Sequence, residues 1–464
     1  MQYIIFGTGD YYERYKKWFD KKDIVALIDN SPAKQNTFID GLEVLAPEEG
    51  IQRNYDVIVI LSFYVKAMKE QLLLLGVRPD KIYHFFDLHN LLDYKKKKVN
   101  IIYYGTTEND IFTSRHQNKI LLLTQELTLG GPPLAILHMA EVLKKNGYDV
   151  VVGTMMDGPL RQKFLNLSIP VIIDERLQMA TMDEINWMQG FSMIVCSTIN
   201  FHIFLRQRNL EIPVIWWLHE APFFYEGIRK ENLQSIKMEN LKIVAVGPIP
   251  INAFHKVLPK VSVGNLLYGV EDIGKKAKQE NKKIYFTTIG FFEDIKGQDI
   301  LLEAVAKLED QIKDRIKILF VGYDETLFAM QLKEKYKDLK NVDYMGRVDR
   351  KKIHAILDKT DVLICPSRQD SMPTVVAEAM MHSTPCIVSS SIGTAMYIQD
   401  GNCGFVFENQ NIEELRKYIS WCVDNHVKLI EMGKNARKIY EEYFSIEAFE
   451  KNLLTIVNDM YKDK

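Results

Sequence analysis

Cysteine is scarce in this sequence. Only five cysteines occur among 464 residues, and they are widely separated along the chain. Zinc sites and disulfide frameworks use cysteines at short, regular spacings, so the sequence predicts neither. Because their neighbours are mostly apolar, we expect five buried thiols. They are Cys196, Cys365, Cys386, Cys403 and Cys422.

The sequence also lacks an excess of charge and long apolar runs. Its 59 basic and 61 acidic residues give a net charge of −2, which offers no case for a nucleic-acid partner. No apolar run approaches the length of a membrane span, and the start, MQYIIFGTGD, reads as a strand entering a glycine turn rather than a signal peptide. We therefore expect a cytoplasmic protein. Peripheral association with the inner face of the membrane stays open.

A third absence concerns carboxylates that bind metals. The sequence contains no Asp-x-Asp triplet, the usual carboxylate pair that holds a divalent cation on a diphosphate-containing ligand. We therefore predict no metal site. If the protein binds a diphosphate, backbone amides and basic side chains must meet its charge.

What the sequence does contain is a repeated alternation of strands and helices. Strands of Val, Ile and Leu alternate with amphipathic stretches, a pattern typical of parallel sheets covered by helices. The pattern restarts twice, which indicates three α/β modules that bind ligands outside the carboxyl ends of their strands. The predicted boundaries are 1–98 for a small first module, 99–118 for a linker, 119–280 and 281–440 for two larger modules, and 441–464 for a helix that packs back on the second module.

Two glycine-containing turns open the second and third modules. Gly130 and Gly131 lie between a strand and a helix, where backbone amides and the helix dipole favour an anion. The loop from Gly290 to Gly297 places Lys296 beside the next helix start, so a phosphate is the natural ligand. Each turn could equally be a simple strand-to-helix connection, since glycine is the default residue in tight turns.

The stretch SRQDSMPTVVAEAM, residues 367–380, follows an apolar strand and enters an almost wholly apolar helix. We expect the helix to begin at Pro373, with Ser371 or Asp370 as its cap. Thr374, Glu378 and His382 are spaced by four residues and form a narrow polar stripe. A buried Glu378 needs a partner, which could be solvent, a neighbouring side chain or a ligand hydroxyl.

Two further features are open to more than one interpretation. His219 follows the apolar run VIWWL at a predicted strand end, where a catalytic histidine and a structural one are equally expected. The amino-terminal GTG has only two of the three glycines in the dinucleotide fingerprint, although Asp29 lies about where a ribose-binding acid would. The first module is therefore either a degenerate nucleotide-binding unit or purely structural.

Together these motifs resemble the family 4 retaining glycosyltransferases of the GT-B architecture, in which two Rossmann-like domains face each other across a cleft. The resemblance covers roughly residues 119–464, and its most specific part is the pair Asp370 and Glu378. It implies that Asp370 faces the donor sugar and Glu378 binds the nucleotide ribose. The first module looks like a small Rossmann-like unit that is attached to several carbohydrate-modifying enzymes.

The resemblance also assigns roles to other positions. It implies His219 and Asp370 as catalytic residues, and the loop around Arg347 and Val348 as the base-binding segment. Phe291 stands where the family usually has an arginine on the diphosphate. Arg368 and Arg347 are the candidates to compensate, and Arg368 is the one expected to do so. The implied donor-binding residues are Gly130, Gly131, Gly290, Lys296, Arg347, Val348, Arg368, Ser371, Met372, Pro373, Thr374 and Glu378.

The function implied is a metal-independent, retaining hexosyltransferase without a cofactor. Its donor would be a UDP-sugar, with GDP- or dTDP-sugars as alternatives, and its acceptor a glycan, a lipid-linked molecule or a protein in cell-surface polysaccharide or glycoconjugate synthesis. The alternative is a catalytically weak, glycosyltransferase-like binding subunit that supports a partner enzyme. A homo- or hetero-oligomer stays open, and donor chemistry is expected to need nothing from residues 1–98.

Overall fold

A computed structural model describes residues 1–62, 64–113, 118–274 and 282–462 of the chain. Within these ranges the strands form three separate sheets. Most strands are parallel to their neighbours and are covered by helices, so the predicted α/β architecture is confirmed. The predicted boundary at residues 280 and 281 lies outside the described residues.

The first sheet belongs to the amino-terminal module and has the strand order β3-β4-β2-β1-β5-β6. Only the short β3 runs antiparallel to its neighbour in this described sheet. Its strands are β1 (Tyr3–Phe6), β2 (Ile24–Ile28), β3 (Thr37–Ile39), β4 (Leu42–Leu45), β5 (Val57–Ile60) and β6 (Ile82–His84). The accompanying helices are α1 (Asp10–Tyr15), α2 (Pro47–Gly50), α3 (Val65–Leu74) and α4 (Leu88–Leu91).

The second sheet has the order β14-β13-β12-β11-β8-β9-β10-β7. Its strands are β7 (Ile102–Tyr104), β8 (Lys119–Glu126), β9 (Asp149–Met156), β10 (Val171–Ile173), β11 (Met193–Ser197), β12 (Val214–Leu218), β13 (Leu241–Ala245) and β14 (Gly264–Asn265). Its helices are α5 (Glu108–Thr113), α6 (Gly131–Lys145), α7 (Leu160–Asn166), α8 (Lys230–Gln234) and α9 (Pro248–Val257). Every residue of β12 is buried, as expected for a strand covered on both faces.

The segment predicted as a linker differs from that expectation. Within residues 99–118, β7 pairs antiparallel with β10 at the edge of the second sheet. A three-residue strand carries too little periodicity to be recognised in sequence. The chain between the first two modules is therefore part of the second module's sheet.

The third sheet is wholly parallel where it is described, with the order β17-β16-β15-β18-β19-β20. Its strands are β15 (Ile284–Ile289), β16 (Ile316–Val321), β17 (Val342–Tyr344), β18 (Val362–Cys365), β19 (Cys386–Ser389) and β20 (Gly404–Phe407). The helices around it are α10 (Gln298–Ala306), α11 (Asp310–Lys313), α12 (Leu327–Lys335), α13 (Arg350–Leu357), α14 (Thr374–Met381), α15 (Ala395–Asp400), α16 (Ile412–Asp424) and α17 (His426–Ile439).

The carboxyl-terminal helix crosses back to the second module. A π-helical turn (Tyr440–Phe444) separates α17 from α18 (Ile446–Lys462). The ring of Phe449 stacks on Trp217 with centroids 5.8 Å apart, and Glu450 pairs with Lys145 at 2.8 Å. The two larger modules are thus joined by this helix as well as by the chain between them. Residues 463 and 464 of the predicted final segment lie outside the described residues.

The first module shares a hydrophobic core with the second. One buried cluster runs from Trp18 and Tyr94 to Met182 and Phe204. Ion pairs flank it: Arg229 bonds Asp87 at 2.7 Å, Lys95 bonds Glu184 at 2.7 Å and Lys66 bonds Glu226 at 3.4 Å. The amino-terminal module is therefore packed into the body of the protein.

Candidate functional site

The carboxyl ends of the second and third sheets face each other across a cleft. Gly247, which follows β13, lies so close to Met372 that an added Cβ would be 2.2 Å from the methionine Cε. A Cβ added to Gly131 would lie 3.9 Å from Cγ2 of Thr374. Gly131 of the second module and Thr374 of the third, both implied as donor-binding residues by the resemblance, therefore meet at this cleft.

Two helices begin side by side here. Gly131 is the first residue of α6 and Thr374 the first of α14, so the positive ends of both helix dipoles converge. Pro132 and Pro133 have no N–H groups, which leaves Gly131 as the donor in the first positions of α6. The α14 start contributes the amides of Thr374 and Val375.

The predicted cap of α14 is wrong. Pro373 occupies the N-cap position, and no side chain bonds the helix start. Asp370 instead accepts a hydrogen bond from Nζ of Lys296 at 2.6 Å. The Asp370 charge raises the pKa of Lys296, so the ammonium stays protonated. The cation and the carboxylate that the sequence places far apart thus form one ion pair beside two helix starts.

The loop that carries Lys296 is held against the end of β18. Gly297 has φ +67°, and an added Cβ would lie 2.1 Å from the carbonyl oxygen of Pro366, so only glycine fits. Arg368 donates to the Asp294 carbonyl at 2.5 Å and makes two bonds to the Asp299 carboxylate, at 2.8 and 2.6 Å. The Arg368 guanidinium therefore holds the Lys296 loop in place. Its N–H groups are already bonded to the Asp299 carboxylate.

Glu378 has a side-chain partner that the sequence did not indicate. Its carboxylate, 5% exposed, pairs with Nη2 of Arg350 at 2.7 Å. Further along the stripe, His382 bonds Asp358 at 2.8 Å and His354 at 3.2 Å. The polar stripe of α14 is thus matched by residues of α13 and its carboxyl end.

Tyr268 lies buried near the same carboxylates. Among the described residues its hydroxyl has no hydrogen-bond partner. Burial raises the pKa of Tyr268 well above its usual value, and the charges of Asp370 and Glu378 add to this. The Tyr268 hydroxyl is therefore a neutral donor close to the site. None of the sequence motifs described above pointed to this tyrosine.

His219 and Glu220 lie at the carboxyl end of β12, on the cleft side of the second sheet. Burial lowers the pKa of His219 to about 3 and raises the pKa of Glu220 to about 7. Nε2 of His219 is buried without a partner in the described part of the chain. The Glu220 carboxylate accepts a bond from the His219 amide at 2.9 Å. Between described residues, no hydrogen bond joins His219 to Asp370.

The remaining predicted donor residues lie in loops at the ends of β15 and β17. Gly290 donates its amide to Val321, and Phe291 leaves 55% of its surface exposed beside Tyr323. Arg347 is exposed and Val348 half-buried, and no ion pair to Arg347 occurs within the described ranges. Ser371 is half-buried and Met372 buried at the cleft.

The described ranges contain neither a candidate metal centre nor a membrane-spanning helix. There, no group of three or more His, Cys, Asp or Glu residues is placed to hold a metal ion. None of the described helices is long and apolar enough to cross a membrane. All five cysteines are buried and unbridged, which confirms the expectation for the thiols.

Comparison with known proteins defines the class of this cleft. The family "Glycosyl transferases group 1" matches residues 270–439, and "Glycosyl-transferase family 4" matches residues 116–244. Together they cover well over half of the chain. The third module therefore matches the group 1 glycosyltransferases and the second module the family 4 glycosyltransferases, and together they have the GT-B fold. Residues 1–83 match the family "C2185-like, N-terminal".

Individual relatives are distant. An uncharacterized glycosyltransferase of Methanocaldococcus jannaschii is 26% identical over 212 residues, 44% of this chain and 54% of the relative. The lipopolysaccharide glucosyltransferase WaaG of Escherichia coli is 30% identical over 131 residues, 27% of this chain and 34% of the relative. The chain thus spans about half or less of the length of the curated relatives it matches.

Among solved structures, Anabaena HepE in complex with UDP and glucose superposes with a TM-score of 0.60 at 18% identity. The match covers 73% of this chain and 99% of that one. Identity this low carries the fold and not the chemistry. The structural match supports the two facing domains of the GT-B architecture.

Proposed function

We propose that the chain is a retaining glycosyltransferase that takes a hexose from a nucleotide sugar bound at the cleft. The observation that carries this proposal is the Lys296–Asp370 pair, 2.6 Å long, beside the starts of α6 and α14. A diphosphate leaving group gains negative charge as the sugar departs. One protonated lysine and two helix starts offer the positive field that this charge requires.

In the proposed mechanism the protein's own groups stabilise the leaving group. Lys296 shifts its contact from Asp370 towards the diphosphate, and the amides of Gly131, Thr374 and Val375 donate to phosphate oxygens. Asp370, released from the lysine, faces the donor sugar. His219 is neutral at physiological pH, so its unpartnered Nε2 suits a bond with a sugar hydroxyl.

Glu378 is proposed to exchange one partner for another. In the structure its carboxylate pairs with Arg350, whose side chain is 47% exposed. The hydroxyls of a ribose can take over the buried carboxylate, which frees the arginine to turn towards the nucleotide. Since Arg368 is already bound by Asp299, Arg350 is the better-placed substitute for the arginine missing at Phe291.

The donor and the pathway are inferred from relatives. HepE was solved with UDP and glucose, so we propose a UDP-sugar first, with GDP- and dTDP-sugars as alternatives. WaaG is a lipopolysaccharide glucosyltransferase, which favours a glycan or lipid-linked acceptor over a protein in cell-surface polysaccharide or glycoconjugate synthesis. The proposal places the enzyme in the cytoplasm, at or near the inner face of the membrane, without a metal and in an oligomeric state still to be measured.

The alternative, a catalytically weak binding subunit, is favoured by the pairing of the candidate cations. Asp370 neutralises Lys296, Asp299 occupies Arg368, and Phe291 replaces a third cation. A site of this kind could hold a nucleotide sugar while leaving its transfer to a partner enzyme. This alternative predicts tight donor binding with turnover near the uncatalysed rate.

Incubation with donors separates the two functions. Purified full-length protein is mixed with UDP-, GDP- or dTDP-hexoses and a glycan mixture, with and without EDTA, and release of the nucleoside diphosphate is followed. The proposal predicts release from one nucleotide class, unchanged by EDTA, and NMR of the product should show the anomeric configuration of the donor. Binding without release would support the subunit alternative, and neither binding nor release would contradict both.

A further inference from the structure

A cavity of about 1060 Å³ lies where all three modules meet. Tyr11, Arg14 and Phe85 of the first module form one wall. Gln125 and Asn200 of the second module form another, and the third module closes the cavity with residues next to the donor loops. Its volume is at the upper end of the range of roughly 300–1,000 Å³ that is usual for ligand sites.

The first-module wall is aromatic. The rings of Tyr11 and Phe85 lie 4.8 Å apart, and Phe86 lies 4.2 Å from Phe85. Tyr11, Phe85 and Phe86 are all half-buried, so part of each ring faces the cavity. Arg14 lies over the Tyr11 ring and bonds Glu126 of β8 at 3.4 Å, which fixes the wall to the second module.

The second-module wall holds a polar atom that lacks a partner. Asn200 donates its amide N–H to Gln125, and both residues line the cavity. Its Oδ1 atom is buried and accepts no hydrogen bond from any residue in the described ranges. A buried acceptor left unpaired is costly, so a donor group from a ligand would be favoured there.

The cavity ends beside the proposed reacting centre. Ile295 and Gln369 line it, and they are the chain neighbours of Lys296 and Asp370. Arg368, which fastens the Lys296 loop, lines it as well. A molecule bound in the cavity would therefore present one end to the donor sugar.

We propose that the amino-terminal module forms part of the acceptor site and binds a glycan there by stacking a sugar ring on Tyr11 and Phe85. This inference rests on the proposed function, because it uses the same cleft. Sugar rings combine an apolar C–H face with a rim of hydroxyls. The aromatic wall fits the face, and the unpaired Oδ1 of Asn200 fits a hydroxyl. The mixed lining suits a free glycan better than a lipid tail.

The test measures glycan binding by full-length protein in the presence of saturating UDP. The probes are neutral and uronic-acid-containing hexose oligosaccharides printed on an array, with lipid-linked and peptide probes beside them. The variants are Tyr11→Leu in the first module and Asn200→Ala in the second. Phe38→Ala is the matched control, because Phe38 is an aromatic residue of the first module that is 72% exposed and lies outside the cavity. Calorimetric UDP affinity and melting temperature are recorded for every protein.

The expected result is oligosaccharide binding by the wild type that falls about tenfold in both cavity variants, with UDP affinity unchanged and Phe38→Ala like the wild type. Equal glycan binding in all folded proteins would overturn the inference and leave the proposed function intact. Binding confined to lipid-linked or peptide probes, or to none, would also overturn it. Failure of the wild type to bind any nucleotide would instead contradict the proposed function. Oligosaccharide binding by the wild type and the variants would still test whether the cavity binds a glycan.

Discussion

The two walls of the cavity differ in how they are built. The third-module wall is charged and includes Asp294 and Arg368. It adjoins the Lys296–Asp370 ion pair, which comes from the same loops at strand ends. The first-module wall is aromatic and consists of Tyr11 and Phe85, which only packing brings together. The difference suggests that donor chemistry is encoded in short motifs, whereas the choice of acceptor is encoded in how the modules pack.

The most severe test of this contrast removes the first module. Deleting residues 1–98 takes Trp18 and Tyr94 away from the cluster they share with Met182 and Phe204, which would expose a large apolar surface. We expect the remaining chain to aggregate or to lose cooperative unfolding, measured by soluble yield and thermal melting against the full chain. A soluble, cooperatively folded remainder would show that the first module is an independent attachment.

Removing Lys296, which lies beside the charged third-module wall, should have the next largest effect. Lys296→Met is expected to lower nucleotide-sugar turnover by about 100- to 1,000-fold, the loss typical for one preorganised group that stabilises developing charge. Turnover is measured as release of nucleoside diphosphate. Lys307→Met is the control, because within the described ranges Lys307, itself 47% exposed, pairs with Glu303 and Glu413. Turnover within threefold of the wild type would remove Lys296 from the mechanism.

Glu220, at the second-module edge of the cleft, should make the free energy of unfolding depend on pH. Burial raises the pKa of Glu220 from 4.5 to about 7, so the unfolded chain ionises first. The free energy of unfolding should therefore lose about 2–4 kcal/mol through this group as the pH rises from about 4.5 to 7. Glu220→Gln lacks this loss, so its stability advantage in urea unfolding should grow across that window. A difference independent of pH would show that Glu220 ionises normally.

Truncating the proposed ribose ligand should weaken nucleotide binding moderately. Glu378→Ala is expected to cost about 1–3 kcal/mol of UDP affinity, the range for losing a charged hydrogen-bond partner. Calorimetry measures the loss. Arg350→Ala should also weaken UDP binding, because Arg350 is proposed to turn towards the nucleotide once Glu378 releases it. Unchanged affinity in a folded Glu378→Ala protein would assign Glu378 to the structural stripe alone.

The smallest expected effect separates two roles of Arg368. If this residue positions the Lys296 loop, Arg368→Ala should lower the turnover number by roughly tenfold at a nearly unchanged Michaelis constant for the donor. Asp299→Asn should then act in the same direction, because it removes the other half of the pair. If Arg368 instead binds the diphosphate directly, Asp299→Asn would free it and tighten donor binding. Arg347→Ala provides the comparison with an exposed arginine.

Much of the donor site in the third module could be predicted from the sequence, because its signals are local. Strand ends, glycine turns and the spacing of Asp370 and Glu378 can all be read within short windows. The partners could not be predicted. Arg350 meets Glu378 only because α13 packs against α14, and Asp299 reaches Arg368 only across the loop at Gly297. The prediction that Asp370 caps α14 was wrong because this carboxylate pairs with Lys296 instead.

The proposed acceptor site could not be predicted from the sequence for the same physical reason. Tyr11 and Phe85 belong to different parts of the first module, and Asn200 lies in the second. No spacing along the chain relates them, and half-buried aromatic residues look like core residues in sequence. The sequence therefore left the first module as either a degenerate nucleotide-binding unit or a purely structural one, and only its packing points to the proposed acceptor role.

The most direct test of the account is how donor turnover divides between water and a glycan acceptor in Tyr11→Leu. Both products are measured in one reaction, with an oligosaccharide that binds the wild type. The account predicts that transfer to the glycan falls about tenfold while hydrolysis of the nucleotide sugar stays at the wild-type rate. Equal changes in both rates, or no change in either, would contradict the division into a donor site in the third module and an acceptor site at the first-module wall.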